Sequence, residues 1–201
     1  MRVSRIQAEE NRQTVINVAS RLFRERGFDG IGLKDLMKAA GLTQGAYYKQ
    51  FASKEDLAAQ ASRRAMGHAF NRFSAAAAAN PDDPLGAAIA LYLSTEHREE
   101  RMDGCPVAAL GSDAARQGAD VKASFEAGIR EYLEMLGRCV EEADGKDDPC
   151  GKAMAILSTM VGAVVLSRVI NDEQLSKQFL HAAAKSVMAL SAGATQKGQL
   201  R

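Results

Sequence analysis

The segment GLTQGAYYKQF, residues 41–51, sets two of the chain's four tyrosines side by side, just after a glycine and an alanine. Amide, phenol and ammonium groups crowd together here, with little apolar periodicity. Such groups donate and accept hydrogen bonds, and a segment without an apolar stripe is built to present them outward rather than to pack. Charge indicates what they could meet. Residues 1–68 carry 12 Lys and Arg against 7 Asp and Glu, an excess of +5, whereas residues 69–201 carry 14 against 18, or −4. A basic front fits a polyanion, although a solvated basic face explains five charges about as well.

Other chemistries find little support. His68, His97 and His181 are scattered, and no Ser/His/Asp order, metal-ligand spacing or phosphate loop stands out. That points away from an enzyme and implies no catalytic residues, metal or cofactor. Cys105, Cys139 and Cys150 are odd in number and far apart, giving neither a disulfide framework nor a CxxC site. The longest apolar run, 160–166, is far short of a membrane span, and MRVSRIQAEENR has no apolar signal core. The expectation is a cytoplasmic protein with no membrane contact.

The elements that must position these groups are helices. Apolar residues make up 46% and charged residues 25%; alanine is abundant, Trp absent and Pro limited to four, which favours an all-α chain. Periodicity and capping residues predict nine helices and no convincing strand. The first, about 8–26, carries Val15, Ile16, Ala19, Leu22 and Phe23 on one face and ends at Gly27. The second covers about 33–40 and stops at Gly41; the third covers about 44–50. Ser53, with Asp56 in a capping-box position, starts a long fourth helix running to about Ala79. Asp83-Pro84 opens a fifth through about Glu99, and Pro106 opens the sixth. The seventh, 119–143, is amphipathic; the eighth, about 149–170, is apolar nearly all round; the ninth spans about 172–191. DGKDDP reads as a polar connector, and the polar tail from Ser191 reads as disordered. A domain boundary between residues 50 and 70 would be bridged by the fourth helix.

Three short helices, the second and third joined by AAGLT, have helix-turn-helix spacing. The run ASRLFRERGFDGIGLKDLMKAAGLTQGAYYKQFASKEDL resembles the DNA-binding head of the TetR family of transcriptional regulators. The resemblance rests on Ala19, Leu22-Phe23, Gly27-Phe28, Leu36, Ala40-Gly41-Leu42, Gly45, Tyr48, Phe51, Ser53-Lys54-Glu55 and Leu57, and covers about 45 residues. It implies a three-helix DNA-binding head, 1–58, joined by a long helix to an all-helical ligand-binding and dimerisation body, 59–201. The third helix would then enter the major groove of double-stranded operator DNA. Gly45 and Ala46 keep its first turn slim. Thr43 caps it and suits a phosphate, and Gln44 is the candidate for reading adenine. Tyr48, Lys49, Gln50, Lys54 and Lys34 are candidate backbone or base contacts. Lys49 and Lys54 alone could equally be solvated surface, and Tyr47 reads better as core than as contact. One departure stands out: the second helix has Gly32 where the family usually begins with Ser or Thr.

For the rear, the resemblance implies a homodimer through helices eight and nine, which would set two heads on two half-sites; the alternative is that the apolar eighth helix is the centre of a monomer core. It also implies a small-molecule effector pocket among the middle helices. Candidate lining residues are Tyr92, His97, Met102, Cys105, Phe125, Ile129, Tyr132 and Met160, any of which could instead be ordinary core. An apolar or aromatic effector releasing a repressor is the default expectation. Cys105, directly before Pro106 at a helix N-terminus, resembles a Gly-Cys-Pro segment of a TetR subgroup and is a possible sensor thiol. Its alternative is a small packing residue. The rival reading of the whole chain is a helical adaptor with a protein partner.

Overall fold

The computed structural model describes residues 4–144 and 148–191. Ten helices occur among them, with no strand: α1 Arg5–Arg26, α2 Leu33–Ala39, α3 Gln44–Tyr47, α4 Lys54–Ala78, α5 Pro84–Tyr92, α6 Thr95–Glu99, α7 Pro106–Ala114, α8 Ala119–Asp144, α9 Pro149–Val169 and α10 Glu173–Ser191. The expected eighth and ninth helices are therefore α9 and α10. Part of the connector (145–147) and the tail beyond Ser191 lie outside the described residues.

Capping explains most boundaries. The Ser4 side chain accepts from Gln7 N at 3.1 Å and starts α1; Gly27, at φ 78°, ends it in the left-handed region. Asp83 accepts from Gly86 N at 2.9 Å, Asp148 from Gly151 N at 3.0 Å, and Asp172 from Gln174 N at 2.8 Å. At α4, Ser53 Oγ accepts from Asp56 N at 3.0 Å while Asp56 Oδ2 accepts from Ala52 N at 3.0 Å, a capping box that reaches back one residue further than usual.

Two expectations fail at boundaries. The single helix expected over 84–99 is broken between Tyr92 and Thr95. Ser94 Oγ accepts from His97 N at 3.0 Å and so caps a new helix, where the apolar run of α5 gives way to the polar STEHREE. The third helix stops at Tyr47, not Gln50: both Gln50 N and Phe51 N donate to Tyr47 O, at 2.8 and 3.0 Å, and the chain leaves the helix in a tight turn.

The chain forms two compact units. One comprises Met1–Phe70 and Glu100–Ile129, the other Asn71–Glu99 and Arg130–Arg201. In the first, Val15, Ile16, Ala19 and Phe23 of α1 pack with Phe28, Leu36, Met37, Tyr47, Phe51 and Leu57, all buried. Each fully buried large side chain stabilises by about 1.5–3 kcal/mol. In the second, Phe73, Tyr92 and Tyr132 form an aromatic core, with ring centroids 6.1 Å (Phe73–Tyr92) and 5.3 Å (Phe73–Tyr132) apart. There α9 and α10 pack on each other, tied where Ser176 Oγ donates to Ser167 O at 2.7 Å. The helix α9 is long and apolar enough to cross a membrane, with mean hydropathy 1.6, a property that a count of uninterrupted apolar residues misses.

Candidate nucleic-acid interface

The geometry of the outward segment follows from three local facts. Gly41, at φ 70°, turns the chain after α2, and Leu42 N donates to Met37 O at 2.9 Å. Leu42 is half-buried, so it plugs the gap between the helices only in part. Thr43 then occupies the N-cap of α3 with extended backbone, yet its hydroxyl makes no capping hydrogen bond. The first N–H groups of α3 are accordingly left to an outside acceptor, although so short a helix adds little dipole.

Tyr47 and Tyr48 divide as the spacing suggests. Tyr47 is 2% exposed and stacks on Phe51, centroids 5.4 Å apart; Tyr48 is 69% exposed and meets Tyr47 edge-on at 5.3 Å. Burial pushes the Tyr47 phenol above the usual tyrosine range, helped by the negative charge of Asp56 and by Tyr48. Lys34, Thr43, Gln44, Gly45, Tyr48 and Lys49 are exposed, while Ala46, Gln50 and Lys54 are half-buried. Gln50 turns its Oε1 inward, where it is buried and meets no donor. Lys54 stands 4.0 Å from the Asp29 carboxylate, an exposed pair that competes only weakly for its charge. Gly32 caps α2 without a side-chain bond, as the departure from Ser or Thr requires.

The eight candidate effector residues fall four to each unit. Met102, Cys105, Phe125 and Ile129 belong to the first, and Tyr92, His97, Tyr132 and Met160 to the second. In the second unit, Tyr92 and His97 rings are 4.7 Å apart, and His97 Nδ1 lies 2.6 Å from the Tyr92 carbonyl oxygen. Tyr92, Tyr132, Met160, Phe125 and Cys105 are all buried; Met102 and Ile129 are half-buried. Arg168 of α9 donates to the carbonyls of Arg98 and His97, at 2.9 and 3.0 Å, closing the open end of α6. Arg98 also pairs with Glu173 at 2.9 Å, and that hydrogen bond, with one from Lys177, holds the Glu173 carboxyl below its usual range.

Two features escaped the sequence. Arg24, whose side chain is 2% exposed, donates to Gly104 O at 2.8 Å and to Ser20 O at 2.9 Å, while Arg21 pairs with Asp103 at 3.0 Å. The signal was present: Arg24 continues the buried row Ile16, Ser20 at steps of four. Glu55 lies against Gly118, at the start of α8, where a Cβ would strike its carboxylate. A negative group suits a helix N-terminus.

A helix-turn-helix with exposed Gln44 on α3, and exposed Tyr48 and Lys49 just after it, is an arrangement suited to DNA. The model of the bacterial regulatory proteins of the tetR family matches residues 15–61. The transcriptional repressor NemR of Escherichia coli (strain K12) is 22% identical over 144 residues, 70% of this chain and 71% of that one. The regulator AcrR of Shigella flexneri is 43% identical over 56 residues, 28% of this chain and 26% of that one. A TetR transcriptional regulator from Chloroflexus aurantiacus J-10-FL superposes with a TM-score of 0.78 at 27% identity, covering 96% of this chain and 98% of that one. Residues 15–61 thus match the DNA-binding head of the TetR family, and these relatives are TetR-family transcriptional regulators, DNA-binding proteins that are not enzymes.

Proposed function

We propose that the chain is a dimeric, cytoplasmic repressor that holds two operator half-sites with its two α3 helices and releases them when a small apolar or aromatic effector binds. The observation that carries the reading is the outward set Lys34, Thr43, Gln44, Gly45, Tyr48 and Lys49 beside the half-buried Ala46, Gln50 and Lys54. Gln44 reads a base edge; Thr43, Tyr48, Lys49, Gln50 and Lys54 hold phosphate and sugar, and Lys34 reaches either. Residues 1–58 serve DNA, and residues 59–201 serve pairing and the effector. The name of one relative, NemR, says repressor, which favours repression here.

Pairing is supported by an uncovered apolar stripe. Met154, Val165, Leu166 and Val169 on α9, with Leu175, Phe179, Met188 and Leu190 on α10, are all exposed in the single chain, Val169 at 71%. A second copy covers these residues and sets two heads about 34–36 Å apart, one helical turn of DNA. Effector response requires a ligand that prefers the head spacing unfit for DNA, and its effect is limited by that preference. Candidate lining residues are Met102, Cys105, Phe125 and Ile129 within the first unit, and Tyr92, His97, Tyr132 and Met160 within the second. The grip of Arg24 on Gly104 and the contact of Glu55 with Gly118 support a route from the segment 100–129 into α1 and α4.

The same grip favours a second reading, in which Cys105 is the sensor. Its thiol is buried at the N-cap of α7, one residue beyond the carbonyl that Arg24 holds. Alkylation there would have to push the Gly104 peptide off Arg24. Electrophile treatment should weaken DNA binding in the native chain but not in Cys105→Ser; an unchanged response in the variant refutes the sensor. For the main reading, a gel shift on the DNA upstream of the protein's own gene should show a steep salt slope that flattens in Lys54→Ala. An adaptor would give no sequence-dependent shift. An effector at a hundred times its dissociation constant should add about 2.7 kcal/mol of stability in a thermal-shift screen.

A further inference from the structure

We propose that Arg12, on α1, is a positioning residue for DNA binding: it fixes the turn between α3 and α4 and, through Phe51 and Tyr47, the exposed ring of Tyr48. The inference rests on the assignment of Tyr48, Lys49 and Lys54 as backbone contacts. Those three residues flank or lie within the turn 48–53, which is neither helix nor strand. A turn of this kind holds a phosphate-binding geometry only if something outside it does the holding.

Arg12 reaches the turn by two routes. Its guanidinium carbon sits 5.5 Å from the centre of the Phe51 ring, and Phe51 stacks on Tyr47, which meets Tyr48 edge-on. One cation thus abuts a chain of three rings, the first two buried and the last facing outward. The second route is polar. Arg12 Nη2 donates to Gln60 Oε1 at 2.5 Å, and Gln60 Nε2 donates to Asp56 Oδ1 at 2.7 Å. Asp56 Oδ2 accepts from Ala52 N at 3.0 Å, and Asp56 N donates to Ser53 Oγ at 3.0 Å. The chain of bonds therefore starts on α1, crosses 48 residues of sequence to α4, and ends on the backbone of the turn itself.

The two routes need a guanidinium. Its plane can lie over a ring while an edge N–H donates, whereas an ammonium group on the same stem is a point donor without a face. Arg12 is half-buried, so both interactions are partly shielded from water, and neither is the weak surface kind. Gln60 is the other essential link, and it carries no charge.

That neutrality makes the test sharp. The full chain is titrated by fluorescence anisotropy against a labelled random-sequence duplex of about 30 bp over a salt series, where each phosphate contact adds roughly 0.9 to the slope. The variants are Arg12→Met, Arg12→Lys, Gln60→Ala and the double variant Arg12→Met/Gln60→Ala. Positioning predicts that Arg12→Met and Gln60→Ala each weaken binding by about tenfold, that the double variant loses little more than either single one, and that Arg12→Lys does not rescue. It further predicts a shallower salt slope in Gln60→Ala, although that variant removes no charge, and faster amide hydrogen exchange over residues 51–56 in the free protein. If Gln60→Ala binds with the native affinity and slope while Arg12→Met loses about one phosphate's worth, Arg12 is itself the contact and the inference is overturned. If the variants melt earlier but bind as the native chain does, Arg12 only braces the fold, which also overturns it. Should Arg12→Met fail to fold, Gln60→Ala and Arg12→Lys decide alone. A native chain that shows no salt-dependent binding would sink the DNA assignment itself, a result distinct from native binding with indifferent variants.

Discussion

The segment 43–54 and the rear pair α9–α10 both leave side chains turned outward, but of opposite kinds. The first exposes Thr43, Gln44, Tyr48 and Lys49 on and beside a helix of four residues; the second exposes Val165, Leu166, Val169, Leu175, Phe179, Met188 and Leu190 on helices of 21 and 19 residues. Polar groups on a short helix act one at a time through directed hydrogen bonds, so each has its own role. An apolar stripe acts by area, and its members substitute for one another. The head is therefore broken by removing a donor or a brace, and the rear only by introducing a charge.

The largest expected effect follows from the rear. Val169→Lys with Phe179→Lys should convert a dimer to a monomer by light scattering and, by removing the second grip, weaken operator binding on the order of 100-fold. A dimer that survives both charges would show that the stripe faces something else. Next comes the tether of the head. Arg24→Met takes the Arg24 donor from the buried Gly104 carbonyl and leaves Asp103 with Arg21 alone, and should cost about 3 kcal/mol in urea unfolding. If Arg24 is surface decoration, the loss stays within a few tenths of a kcal/mol. Smaller again is Gly128→Ala in α8: the added Cβ runs into the Met66 side chain on α4 and should cost about 1–3 kcal/mol, read as a lower melting temperature.

The smallest effect is a pH dependence in the head. The folded Tyr47 phenol titrates above its ordinary value of 10.0, so the folded state keeps its proton more tightly than the unfolded one. Its contribution is fully present below about pH 10 and is lost as pH rises past that point. Urea midpoints should fall more steeply above about pH 10 in the native chain than in Tyr47→Phe, whose buried ring has no proton to lose. Equal slopes would mean that Tyr47 is less buried than its packing implies.

Head and rear also differ in how far they could be read from the chain. In the head, local chemistry sets the geometry: Gly41 turns, Ser53 caps, and Tyr47 and Tyr48 alternate inward and outward. Short-range rules reach all of these. Arg12 lies outside that reach, because its partners Phe51 and Gln60 are brought near only by packing α1 on the start of α4. Arg24 was readable in principle, as a lone cation in an otherwise buried row. In the rear, both helices were legible as elements, and so was the apolar excess of α9. Which side of α9 stays uncovered was not, since an all-round apolar helix has no polar face to mark the outside. The break at Ser94 was hidden for another reason: no glycine or proline stands between Tyr92 and Thr95, and only a serine hydroxyl marks the restart.

Selection of binding sequences by the native chain and by Gln44→Ala, from one pool of random duplexes, tests the central claim most directly. The account predicts that the native chain enriches a two-fold-related pair of half-sites with centres about 34–36 Å apart. It also predicts that Gln44→Ala relaxes the preference at an adenine-containing pair in each half-site while keeping the spacing, a loss of about 1–3 kcal/mol in discrimination. Enrichment of a single unpaired site, of no sequence at all, or of the same bases by both chains would contradict it.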